Sequence, residues 1–325
     1  MNLELTVQDS VSGTIYDLSE LAEGLTWDTA MLSQPGKLSF SYLYDPKVVI
    51  NEGSPVSLKI GGTGVFFGYI FKRTKNQDEK VGVVAYDQMR YLKNKDTYVL
   101  SGYTASTLFV KICKDFKLAY RVLDSSAYVL PNKIQDGKAL FEILQYGIDV
   151  TLANAAKWFY FYDNFGTLEF ADINRLKTLV YLGDASLTNG YEFSSSIDDD
   201  TYNQVKLVKE NKKTAKRDVY MVKDSSTIRT WGTLQYFESM GEDANEVQIK
   251  ARAEQLLKLK NRITKTFKWA GMGDIRIRAG SGVVIGIEEL KDLGMPYEVY
   301  FMVVGCSHSF ENDNHTMQLE LQVSI

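Results

Sequence analysis

Gly53-Ser54-Pro55-Val56-Ser57-Leu58-Lys59-Ile60, followed by a glycine turn and Val65-Phe66-Phe67-Gly68-Tyr69-Ile70, is the stretch that decides how the chain is read. A polar turn then leads to Lys80-Val81-Gly82-Val83-Val84-Ala85-Tyr86. Near the other end the order recurs. Gly280-Ser281-Gly282-Val283-Val284-Ile285 leads to Tyr297-Glu298-Val299-Tyr300-Phe301-Met302-Val303-Val304-Gly305, and a polar turn at 311–314 opens Met317-Gln318-Leu319-Glu320-Leu321-Gln322-Val323. Residues that alternate apolar and polar over this length mark strands with one buried face. A Gly-Ser turn followed by three strands, twice in one chain, predicts a duplicated small β-barrel.

Composition narrows the class. The chain has 325 residues, room for two or three domains. A formal net charge of -4 provides no broad basic surface for nucleic acid, so sequence-specific nucleic-acid binding is not expected. The 20 tyrosines and 16 phenylalanines favour β-structure and interfaces over a helix bundle. Cys113 and Cys306 stand far apart without metal-like neighbours and read as reduced, buried thiols. Met1 to Val7 alternates like a strand and lacks the basic and apolar regions of a signal peptide. No apolar run is long enough to span a bilayer, so direct membrane insertion is not expected.

Working outward from the repeat, three regions are expected: 1–94 as a first tube-like β-barrel domain, 95–185 as a small α+β domain, and 186–325 as a second tube-like barrel with an inserted helix near 243–260. The fold class is α+β, mainly β. In the middle region Thr104 is a good N-cap, and Leu108, Ile112 and Phe116 recur on one helical face. A second helix is predicted over 136–152. A hairpin follows, with Trp158 to Tyr162 and Thr167 to Phe170 flanking the turn at 163–166. Strands are predicted over 202–208 and 218–222, around a polar tip carrying Lys209, Lys212, Lys213, Lys216 and Arg217.

Chemistry is sparse. His308 and His315 flank a predicted hairpin, where Glu311 and Asp313 are the local candidates for completing a metal site; all are expected to be solvated turn residues. A Cys113–His308 nucleophile pair lacks any supporting context. Asp198-Asp199-Asp200 reads as a solvated loop. Gly271-Met272-Gly273 lacks the third glycine and the following helix of a dinucleotide fingerprint. No catalytic residue, metal site or cofactor is assigned, and the chain is not read as an enzyme.

With these residues in place, the chain resembles the baseplate hub proteins of contractile phage tails: the late control gene D proteins and the hubs of PBSX-like prophages. It is more remotely similar to the hub part of type VI secretion spike proteins. The resemblance rests on 53–70, on Tyr202-Asn203-Gln204-Val205, on the helix over 243–261, and on 279–283 with 304–310 and 317–321. It implies a homotrimer whose six barrels form a pseudo-six-fold ring, joining a three-fold central spike to a six-fold tail tube. The implied partners are that spike, the tube or tube-initiator protein, and other baseplate proteins such as wedge and tape measure. The implied location is the baseplate of a virion or tail particle assembled in the bacterial cytoplasm. Val81, Val83 and Ala85 in the first copy, and Gln318, Glu320 and Gln322 in the second, are the inter-subunit or tube-interface candidates. Two alternatives are a tail-associated peptidoglycan hydrolase and a glycan-binding module built on Trp158, Tyr160 and Tyr162.

Overall fold

A computed structural model of the chain describes residues 2–31, 34–184, 188–198, 200–211, 216–240, 245–293, 295–311 and 313–323. They fall into two compact units, one of residues 1–192 with 267–325 and one of Phe193–Thr266. The first seven strands are β1 (Leu3–Gln8), β2 (Ile15–Asp17), β3 (Glu23–Ala30), β4 (Lys37–Leu43), β5 (Pro55–Ile60), β6 (Thr63–Lys75) and β7 (Lys80–Tyr86). Leu25 and Trp27 of β3, Leu38, Phe40 and Tyr42 of β4, and Val81, Val83 and Ala85 of β7 all point to one side, into a core shared with Val56, Leu58 and Ile70. Their intervening neighbours are Thr26, Ser39, Ser41, Gly82 and Val84, mostly small or polar, as a sheet with one buried face requires.

The middle module comprises β8 (Lys95–Leu100), α1 (Ala105–Asp115), β9 (Tyr120–Val122), β10 (Lys133–Ala139), α2 (Leu140–Ala155), β11 (Phe159–Asp163) and β12 (Leu168–Asp172). Thr104 caps α1 in a capping box with Thr107. The second helix starts later than the sequence indicated, because Lys133–Ala139 pairs with β8 as a strand. Phe109, Ile112, Leu144, Phe161 and Phe170 share one core with both helices.

Two strands follow, β13 (Lys177–Gly183) and β14 (Thr188–Ser196). The separate unit then holds β15 (Gln204–Asn211), β16 (Lys216–Lys223), α3 (Ser225–Trp231), β17 (Gln235–Met240) and α4 (Glu246–Lys260). Its sheet runs β16-β15-β17, and Val205 and Leu207 pack on Ile249 and Ala253 of α4. The chain closes with β18 (Thr264–Met272), β19 (Gly282–Gly286), β20 (Glu298–Glu311) and β21 (Asn314–Val323).

The expected duplication is present in five strands, but within one open sheet rather than two closed barrels among the described residues, and the sixth strand differs: β1 runs antiparallel to β5, whereas β13 runs parallel to β19. The first copy is ordered β3-β4-β7-β6-β5-β1 and the second β14-β18-β21-β20-β19-β13. Register is repeated as well. Val56 pairs with Gly68 as Val283 pairs with Phe301, and Ala85 pairs with Ile70 as Leu321 pairs with Val303. Both long strands carry one extra residue against the third strand, Phe71 in β6 and Val304 in β20. The Gly-Ser turns match in their bonds. Gly53 N–H donates to Ile70 O at 2.7 Å, and Gly280 N–H to Val303 O at 2.8 Å. Ser54 Oγ accepts from the Asn51 N–H at 3.2 Å, and Ser281 Oγ from the Arg278 N–H at 3.1 Å. Both glycines have positive φ, 84° and 90°, which a side chain would strain.

The copies are joined where β3 pairs antiparallel with the second half of β20, from Ala30–Gly305 to Leu25–Phe310. Both therefore belong to one 13-stranded sheet, whose order among the described residues runs open from β14 to β2. The copies differ in what joins their first two strands: residues 31–36 link β3 to β4, whereas residues 197–263, most of the Phe193–Thr266 unit, lie between β14 and β18 in the chain.

Candidate functional site

Residues of β3, β20, β21, β18 and β14 line an open basin of ≈ 410 Å³. Its polar lining includes Asp28, Ser307, Gln318, Glu320, Lys268 and Glu192. Ser307 Oγ donates to Asp28 at 2.5 Å, Lys37 Nζ lies 2.8 Å from the same carboxylate, and Lys268 lies 3.3 Å from Glu192. Two of the basin's three carboxylates, Asp28 and Glu192, are thus held in ion pairs with lysines.

The structure treats the two halves of the interface expectation differently. Gln318 and Glu320 are exposed and Gln322 half-buried, all outward on β21 between buried Met317, Leu319 and Leu321. Val81, Val83 and Ala85 are buried in the core of the first copy, and β7 is flanked on both sides by β4 and β6. They are therefore unavailable to another chain. The outward residues of β7 are Gly82, Val84 and Tyr86, one position along. A strand's period of two turns a one-residue misjudgement into the opposite face.

His308 is not a solvated turn residue but fully buried. Its Nε2–H donates to the Ile277 carbonyl at 2.8 Å, which leaves Nδ1 to accept from His315 Nε2 at 2.9 Å. The ring stacks on Trp27 of β3 at 4.9 Å. Burial depresses its pKa to about 4, and burial also lowers that of His315. The sulfur beside it belongs to Cys306, 3.1 Å away, whereas Cys113 lies in the core of the middle module. Burial raises both thiols, Cys113 to about 12, so neither supplies a thiolate near neutral pH. Among the described residues no three His, Cys, Asp or Glu side chains are placed to hold a metal ion.

A second buried polar group joins three parts of the first unit. Asp87 ends β7, where it accepts from the backbone N–H groups of Gly36 at 2.8 Å and Met89 at 3.0 Å. Asp163 ends β11 and accepts from Gly166 N–H at 2.7 Å. Arg278, in the Gly-Ser turn of the second copy, donates to the Asp163 carbonyl at 2.7 Å and lies 4.6 Å from the Tyr162 ring centre. Burial, with the nearby Asp163 charge, holds the Asp87 carboxyl well above the usual carboxylate range. This arrangement ties strand ends together, with its groups screened from solvent.

The remaining candidates are accounted for locally. Trp158 is half-buried, and Tyr160 and Tyr162 are buried, so the row offers no exposed aromatic platform. Asp200 pairs with Lys260 at 2.5 Å, and Asp199 lies outside the described residues. Arg217 pairs with Glu210 at 3.3 Å; Lys212 and Lys213 lie outside the described residues, as does the side chain of Lys216.

A model of the YqbQ-like family matches residues 25–322. The chain belongs to the YqbQ-like family. It is 26% identical over 275 residues to the phage-like element PBSX protein XkdQ of Bacillus subtilis (strain 168), spanning 84% of this chain and 82% of that one. In fold it is similar to the 43 kDa tail protein of prophage MuSo2 from Shewanella oneidensis, with a TM-score of 0.71 at 13% identity and 98% of each chain covered. It is also similar to the c3393 protein of E. coli, a component of the type VI secretion system, with a TM-score of 0.56 at 12% identity, covering 99% of this chain and 77% of that one. At these identities the two structural likenesses establish shared folds. Among the described residues no helix is long and apolar enough to cross a membrane.

Proposed function

We propose that this YqbQ-like protein is a structural baseplate hub of a contractile phage tail or tail-like particle, acting without catalysis. The observation that carries this reading is the duplication: two copies of one five-stranded order, with matching register across their last three strands, within one chain. Two equivalent copies per chain let three chains present six similar surfaces around a three-fold axis. In this reading the domains are 1–94, 95–185 and 186–325. The two β domains become tube-like in the ring, and the middle module lies at the periphery or toward the spike. The ring adapts a three-fold spike to a six-fold tube, with wedge and tape-measure proteins as neighbours. Gln318, Glu320 and Gln322 belong to the surface offered to the tube or to the lumen. The PBSX and MuSo2 relatives, named as phage-like and tail proteins, support the setting.

Light scattering and negative-stain imaging test it, on the purified chain and on the chain co-expressed with its gene neighbours. The expected result is a three-fold particle with a central channel. A chain that stays monomeric in both preparations would refute the hub.

A further inference from the structure

The internal junction between the two copies predicts the junction between protomers. Inside the chain, β5 accompanies β6 only as far as Tyr69, and β19 accompanies β20 only as far as Met302. Beyond those equivalent points the same edge of each long strand is free of its hairpin partner. In the second copy β3 fills the vacancy, pairing with Gly305–Phe310. In the first copy the corresponding stretch of β6, Lys72–Lys75, has no strand on that side among the described residues.

The strand that should fill it can be identified. The equivalent of β3 in the second copy is β14, because each neighbours the strand that neighbours the third strand of its copy. Phe267 of β18 corresponds to Leu38 of β4, since Gly273 N–H donates to His315 O at 2.8 Å as Tyr44 N–H donates to Glu79 O at 2.8 Å. Trp27 pairs with Leu38, and Tyr191 of β14 stacks on Phe267 at 5.6 Å. Trp27 is 4% exposed because the second copy covers it through His308; Tyr191, which has no such cover, is 39% exposed. β14 ends the sheet as an edge strand. Unpaired edges of this kind are where another strand adds most readily. Tyr44, whose ring lies 3.5 Å from Nζ of Lys75 in this half of β6, is also exposed.

We infer that β14 of one protomer pairs antiparallel with residues 72–75 of β6 in a second copy of this chain, repeating the β3–β20 ladder. The sheet then runs on from protomer to protomer, and Tyr191 is buried against the neighbour. The inference rests on the ring reading above and specifies its contact.

Disulfide trapping tests it. Tyr191→Cys is combined with Lys75→Cys, the counterpart of His308, or with Arg73→Cys, which allows for a shift of two residues in register. Tyr191→Cys with Lys59→Cys on the exposed face of β5 serves as the control. The native cysteines are both buried and do not interfere. Oxidation is expected to convert at least one test pair into covalently linked trimer, ending at three chains because the ring closes, while the control stays unlinked. In unsubstituted protein, amides of 72–75 and 188–192 are expected to exchange slowly. Trimers in which neither test pair links overturn the strand assignment and leave the ring reading standing. A chain that remains monomeric at the highest attainable concentration, with both pairs unlinked, overturns the assignment together with the ring.

Discussion

His308 gives the most direct energetic test of the junction between copies. Its folded pKa is about 4 because burial disfavours the imidazolium, against about 6.5 in an unfolded chain. The folded state therefore binds fewer protons than the unfolded state between these values. Stability from the neutral ring is complete above pH 6.5 and is lost as pH falls through that window toward 4. A gap of about 2.5 units corresponds to about 3 kcal/mol at 1.36 kcal/mol per unit. His315 is shifted the same way by burial and adds to the loss. Asp87 acts with the opposite sign, since a raised carboxylate pKa stabilises the fold as pH falls. The measurement must therefore be a difference. His308→Gln keeps a donor for the Ile277 carbonyl and an acceptor for His315 but cannot titrate. Urea unfolding across the pH 4 to 7 range should show the parent losing about 3 kcal/mol more than the variant. Parallel stability curves would refute both the buried neutral ring and the junction built on it.

Two further pairs of substitutions test the duplication itself. Ser54→Ala and Ser281→Ala each strip a partly buried backbone N–H of its acceptor, and each should cost about 1 kcal/mol. Thermal unfolding should show similar losses for the two and near-additivity in the double variant; a marked inequality would mean that the matching turns are not energetically equivalent. Gly53→Ala places a side chain at positive φ with open space around it and should cost about 1–2 kcal/mol. Gly280→Ala should cost more, because its Cβ would fall 2.7 Å from the Tyr160 ring and 3.0 Å from Leu176; calorimetry ranking the two the other way would contradict the packing described.

The duplication was legible because its signals are local. Gly-Ser turns and alternating apolar residues specify strands without knowledge of the rest of the fold. What was hidden depends on partners. In β7 either set of alternate residues could face inward, since Val84 is as apolar as Val83. The choice is made by Leu38, Phe40 and Tyr42 of β4, paired opposite Ala85, Val83 and Val81. β14 carries Thr188-Asn189-Gly190-Tyr191-Glu192, mostly exposed, so it has no alternation to read. His308 sits between polar Ser307 and Ser309 close to a hairpin tip, and only the stack on Trp27, 281 positions away in the sequence, makes it a core residue. Trp158 to Tyr162 could be read as a half-exposed row. The tyrosines are buried because Met31, Ala279 and Met302 pack beside them from both copies.

One asymmetry distinguishes the two copies. The connection between the first two strands is residues 31–36 in the first copy and residues 197–263, most of the Phe193–Thr266 unit, in the second. If only the shared strands had to match, any insertion could be tolerated there, because a connection between strands adds no residue to the ladders it joins. In a ring of three chains such an insertion recurs three times, once for every two equivalent copies. The strands alone would present six similar positions, and the inserted unit would reduce them to three. An assembly that joins a six-fold partner to a three-fold one needs both symmetries in one object, and in the hub proposed above the repeated ladders would supply the first and the unrepeated insertion the second.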